Sequence, residues 1–94
     1  MVISLSVPAH NNATEIAAKI SNAAQLQESD EYKEKFDDYI ELTMSCDPSE
    51  VLNFCKGVMT HSVEQGLRNK RVKNDSLRIE FLAAYDLYNH VILA

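Results

Sequence analysis

Apolar and polar side chains alternate at Ile3-Ser4-Leu5-Ser6-Val7 and again at Ile40-Glu41-Leu42-Thr43-Met44. That two-residue period places every second side chain on one face of a half-buried strand. Elsewhere the period is helical. After Asn12, the positions Ala13, Ile16, Ala17, Ile20, Ala23 and Ala24 share one face at roughly 100° per residue. Asn12-Ala13-Thr14-Glu15 and Asp47-Pro48-Ser49-Glu50 have the same start chemistry, a capping side chain with a Glu three residues on that reaches back to the cap. Pro48 fits the first helical position, where a missing N–H costs nothing.

From Pro48 the pattern Val51, Phe54, Cys55, Val58, Met59, Ser62, widened by Leu52 and Val63, predicts a central helix that Gly66 weakens or ends. A last helix, capped by Asn74 or Asp75, is expected to bury Leu77, Phe81, Ala84, Tyr85, Tyr88, Val91 and Ile92. Ile79, Leu82 and Leu93 form a second apolar strip on it, more than a lone surface helix carries. Between these lies a helix opened by Ser29 and running through Tyr32 and Phe36. Continued to Cys46, it would align Tyr32, Phe36, Tyr39, Ile40, Thr43 and Met44 but send Leu42 among carboxylates. A strand from Ile40 keeps Ile40, Leu42 and Met44 together and gives the Ile3 segment a hydrogen-bonding partner.

The expected fold is therefore α+β, a small two-stranded sheet packed against three or four helices. The alternative is an all-α bundle with an extended N-terminal arm. Ninety-four residues suit a single domain over 1–94, of a size that a second copy often stabilises. The surplus strip Ile79, Leu82 and Leu93 is the expected homodimer interface.

Composition adds a compartment. Cys46 and Cys55 are too few for a disulfide framework, and the chain opens without a basic and apolar leader, so a reducing cytoplasm is expected. Asn12-Ala13-Thr14 and Asn74-Asp75-Ser76 then read as helix caps and not as glycosylation sites. No apolar run is long enough for a membrane span.

Charge changes the picture most. Between Glu28 and Glu50 nine acids face only Lys33 and Lys35, whereas Arg68, Lys70, Arg71, Lys73 and Arg78 are opposed in their stretch by Asp75 alone. The total is −5. Glu34, Asp37, Asp38 and Glu41 can lie along one exposed surface, imitate a row of phosphates and occupy a protein partner with a basic surface. Arg68, Lys70, Arg71 and Lys73 could touch nucleic acid directly, but the net negative charge opposes it and no aromatics interleave with the basic residues.

Catalytic signatures are sparse. Cys46, Cys55 and His61 lack a familiar zinc spacing, and Gly57 and Gly66 do not make a phosphate loop. No catalytic residue, metal or cofactor is expected. In size and charge, though through no motif, the chain resembles the host-takeover and anti-defence proteins of phages. It is expected to be a non-catalytic inhibitor of a nucleic-acid-handling protein, or alternatively a small dimeric DNA- or RNA-binding regulator using residues 68–73.

Overall fold

The computed structural model describes residues 13–20, 22–66 and 75–93, and among them there is no strand. Five helical segments follow in order: α1 over 13–18, α2 Ala23–Gln27, α3 Asp30–Thr43, α4 Pro48–Glu64 and α5 Asp75–Leu93. The α+β expectation is overturned at its second strand, because Ile40 and Leu42 lie inside α3 and Met44 caps its C-terminal end. The all-α alternative describes these residues. The Ile3–Val7 segment, the N-terminal arm and the Asn12 cap lie outside the described residues.

Aromatic burial decides between the two periods at α3. A helix brings Tyr32 and Phe36 onto the core and leaves Tyr39 only 8% exposed, while Leu42 and Met44 stay 65% and 78% exposed. Withdrawing one tyrosine and half-burying two more rings outweighs leaving two aliphatic side chains wet, since each buried large side chain contributes about 1.5–3 kcal/mol. Thr43, a strand-favouring residue, is accommodated because its hydroxyl donates to the carbonyls of Tyr39 and Ile40, both at 3.0 Å. Ser29 opens the helix as expected, with its Oγ accepting the Tyr32 N–H.

The single helix expected after Asn12 is two pieces. At Lys19, Ile20 and Ala23 the backbone N–H groups donate three residues back, to Ile16, Ala17 and Ile20, and Asn22 leaves helical geometry at φ −111°, ψ 28°. An Asn side chain offers the backbone competing local bonds, which makes Asn22 a natural break. The break serves two cores. Ala13 and Ile16 join the larger cluster around Phe81, Cys55 and Tyr88, and Leu26 joins a smaller one with Ile79 and Leu82.

α4 begins and ends as its sequence predicts. Pro48 occupies the first turn, the Asp47 N–H donates to Glu50 Oε1 at 3.3 Å, and Gly66 follows the helix at φ 101°, a left-handed geometry that glycine alone adopts freely. Yet α4 is not the central helix. That role belongs to α5, against which α2, α3 and α4 all pack more extensively than on one another. Its surplus of apolar faces is thereby used: Phe81, Ala84 and Tyr88 belong to the larger cluster, Ile79 and Leu82 to the smaller. Ala83 and Leu87 are buried as well, and Ile92, expected inside, is 39% exposed.

Candidate interaction face

The outer side of α3 carries the acidic residues. Glu34, Asp37, Asp38 and Glu41 are all exposed, and their spacing confines them to a strip roughly 100° wide. Neighbours three and four residues apart on a helix stand close enough to interact, and like charges there destabilise by about 0.2–0.5 kcal/mol per pair. Glu34–Asp38, Asp37–Glu41, Glu34–Asp37 and Asp38–Glu41 are four such pairs. The last turn has no basic residue to complement the helix dipole. Among the described residues none of the four carboxylates enters an ion pair. Lys33 and Lys35 flank Glu34, and the Lys35 Nζ stands 6.0 Å from the centroid of the Tyr39 ring. Glu31, one turn before the strip, accepts a hydrogen bond from Ser76 Oγ at 2.9 Å.

Apolar side chains stand at the far end of the strip. Ile40, Leu42 and Met44 are exposed. The Cys46 thiol, also exposed, lies 3.8 Å from the Leu42 carbonyl.

Between α3, α4 and α5, on the side of α3 away from the strip, opens a shallow cleft of about 380 Å³ whose walls include Tyr39, Phe54, Gly57, His61 and Glu80. Tyr39 and Phe54 meet edge to face, centroids 5.2 Å apart at 81°. Burial foremost, then the nearby Glu80 carboxylate, pushes the Tyr39 phenol up to about 12. Gly57 lies in the middle of α4, where glycine costs about 1 kcal/mol relative to alanine. A Cβ built on it would meet nothing within 4 Å. Packing inside the chain therefore gives no reason for that glycine. A second recess, about 300 Å³, lies between Ile16, Met59, Val63 and Phe81, with Lys56 and Glu64 at its edge.

On another side, α5 is tied to α2 and α3 through Asp86, which accepts hydrogen bonds from the Tyr32 hydroxyl and, at 2.7 Å, from Gln27 Nε2. Burial and this bond to Asp86 hold the Tyr32 phenol well above its ordinary range. Cys55 is fully buried, and burial pushes its thiol up to about 11, which disfavours the thiolate at neutral pH. His61 and His90 are exposed. Among the described residues no three His, Cys, Asp or Glu side chains gather in a way that could hold a metal ion, and no helix is long and apolar enough to cross a membrane.

The expected homodimer strip is redrawn by burial. Ile79 and Leu82 are each 2% exposed and covered by Leu26 of the chain's own α2, with Ala17, Ile20, Ala23 and Tyr32 around them. They are not available to a second copy. Ala23 belongs to α2 and packs on this second core, so the helical pattern after Asn12 divides between two cores and covers the second strip of α5. The Leu93 side chain lies outside the described residues, as do Arg68, Lys70, Arg71 and Lys73. Sequence reasoning missed the cleft of Tyr39, Phe54, Gly57 and Glu80; its one signal was a glycine in the middle of a helical pattern. Comparison with protein-family models, with curated proteins and with solved structures finds no match to this chain.

Proposed function

We propose that this protein is a non-catalytic binding protein whose α3 strip occupies the basic groove of a nucleic-acid-handling protein, as an inhibitor of the kind phages direct at host machinery or defence. The observation that carries the reading is the strip itself: Glu34, Asp37, Asp38 and Glu41 remain exposed, enter no ion pair among the described residues and repel one another along the helix at a cost to its stability. Solubility alone needs no such alignment, because charges scattered over the surface serve it equally well. Row-like negative charge on a rigid helix matches what a phosphate-binding groove recognises, and it steers a basic partner into encounter. The reading places the protein in a reducing cytoplasm, that of the infected cell if a phage encodes it; the two free thiols, Cys46 and Cys55, support that compartment.

The test is capture with competition. The wild-type chain, immobilised and exposed to a lysate of the native host, should retain basic nucleic-acid-handling proteins that added duplex DNA or RNA displaces. A variant carrying Glu34→Lys, Asp37→Lys, Asp38→Lys and Glu41→Lys should remain helical by circular dichroism and retain none of them. Undiminished capture by that variant overturns the proposal.

A further inference from the structure

We propose that Leu42 and Met44 are apolar anchors continuing the acidic strip, so that the protein surface it fits is a basic groove ending in an apolar pocket. The proposal rests on the reading above, that a basic protein surface lies along α3, and it names the chemistry of that surface at one end.

Exposure singles out this end of the helix. Among the described residues four large apolar side chains are exposed, and three of them, Ile40, Leu42 and Met44, stand at the C-terminal end of α3. Single apolar side chains scattered over a surface need no explanation, whereas several gathered beside charged residues mark a contact site. Leu42 and Met44 are the most exposed of the four, and neither packs on either core cluster.

Spacing ties them to the strip. Glu34, Asp38 and Leu42 follow one another at four-residue intervals, and Met44 stands three residues after Glu41 and seven after Asp37. Residues at those intervals are neighbours along one helix surface. Both rows of carboxylates therefore run into an exposed apolar side chain, Leu42 at one border and Met44 at the other, with Ile40 one turn before Met44. Charge mimicry alone leaves these side chains without a role, since a row of phosphates has no counterpart to them.

Charge complementarity selects the occupant. A wholly apolar surface would bury Glu41, which lies between Leu42 and Met44, without a counter-charge. A second copy docking by the same end would set carboxylates against carboxylates. A protein groove lined with lysine or arginine and closed by an apolar pocket satisfies both halves. Its cations meet the carboxylates and the negative end of the α3 dipole, which has no basic residue of its own in the last turn, and its pocket takes Leu42 and Met44. The unbranched, flexible Met side chain adapts to an irregular pocket.

The experiment uses the whole chain, isotope-labelled, and two defined probes, octalysine amide and the same peptide extended by two leucines, with the methyl resonances followed by NMR. Both should bind in dilute buffer, the leucine-bearing peptide about tenfold more tightly and with shifts at the Leu42 and Met44 methyls that octalysine does not produce. Moderate salt should weaken both peptides and leave the ratio between them, because screening acts on ionic contacts and not on apolar burial. Leu42→Gln combined with Met44→Gln keeps helix propensity, so this variant should melt as wild type does and bind the two peptides equally. Equal binding of the two peptides by wild type, or an advantage for leucine that survives the double substitution, overturns the anchors and leaves the strip reading intact. The variant reversed at the four strip acids should bind neither peptide, and undiminished octalysine binding by it overturns the strip reading.

Discussion

Asp38→Lys should stabilise this protein, and the size of the gain follows from the geometry of α3. Asp38 stands four residues after Glu34 and three before Glu41, so the wild-type side chain meets a like charge in both directions. Lysine converts both contacts from repulsion to attraction, with the Glu34 pair in the favourable orientation, glutamate nearer the N-terminus, and turns the attractive contact with Lys35, three residues back, into a repulsion. Each contact is worth about 0.2–0.5 kcal/mol in either sense, so the net gain is that of one contact reversed, about 0.4–1 kcal/mol. Solvent exposure keeps it modest, at about 0.5 kcal/mol. For a domain of this length that raises Tm by about 2–4 °C. Urea and thermal melts followed by circular dichroism, run in dilute buffer and again near 1 M NaCl, measure it. Screening at about 1 M salt shortens the Debye length to about 3 Å, so most of the gain should vanish there. A variant that melts at or below wild type in dilute buffer refutes the reasoning, and so does a gain that survives high salt. The same variant should bind the partner less well. Greater stability with poorer binding marks residues kept for contact at the expense of the fold.

Other expectations follow from the interior. Asp86→Ala removes the acceptor shared by Tyr32 and Gln27 and should cost about 2–3 kcal/mol in urea melts, whereas Asp86→Asn, which still accepts, should cost clearly less; equal losses would show that the shared acceptor contributes nothing. Leu82→Ala should destabilise by about 2–5 kcal/mol without changing the hydrodynamic size, because Leu82 fills the chain's own second core; a change of oligomeric state would contradict its burial. Stability should be complete below about pH 9 and fall above it: the Cys55 thiol ionises near 9 when unfolded and about 11 when folded, and Tyr39 near 10 and about 12, so the unfolded chain sheds protons first and is favoured as pH rises. Cys55→Ala should flatten the part of that decline between pH 9 and 11, and an unchanged slope would remove Cys55 as a cause.

Local chemistry carried far in this sequence, and long-range choices did not. The caps at Ser29 and Asp47, the stop at Gly66 and the buried side of α4 are legible because each depends on residues within one or two turns. The segment Ile40–Met44 supports both periods, and only the ring of Tyr39, fitted against Phe54 and the larger cluster, selects the helix. Nothing within five residues encodes that contact. The centrality of α5 was half visible, since its surplus apolar strip announced a second neighbour without saying whether that neighbour was α2 or another copy. Of the candidate site, the acidic strip follows directly from helical spacing once α3 is continuous through Thr43. The cleft does not, because it gathers Tyr39, Gly57 and Glu80 from three helices.

The dependence of α2, α3 and α4 on α5 has a consequence for biosynthesis. Translation releases those three helices before the one that binds them, so the nascent chain has apolar faces on α3 and α4 and no surface to receive them. Tyr32, Tyr39, Val51 and Met59 stay wet until residues 75–93 leave the ribosome. Folding of this stretch therefore waits for α5, and a product cut short within α5 keeps the apolar faces of α3 and α4 exposed.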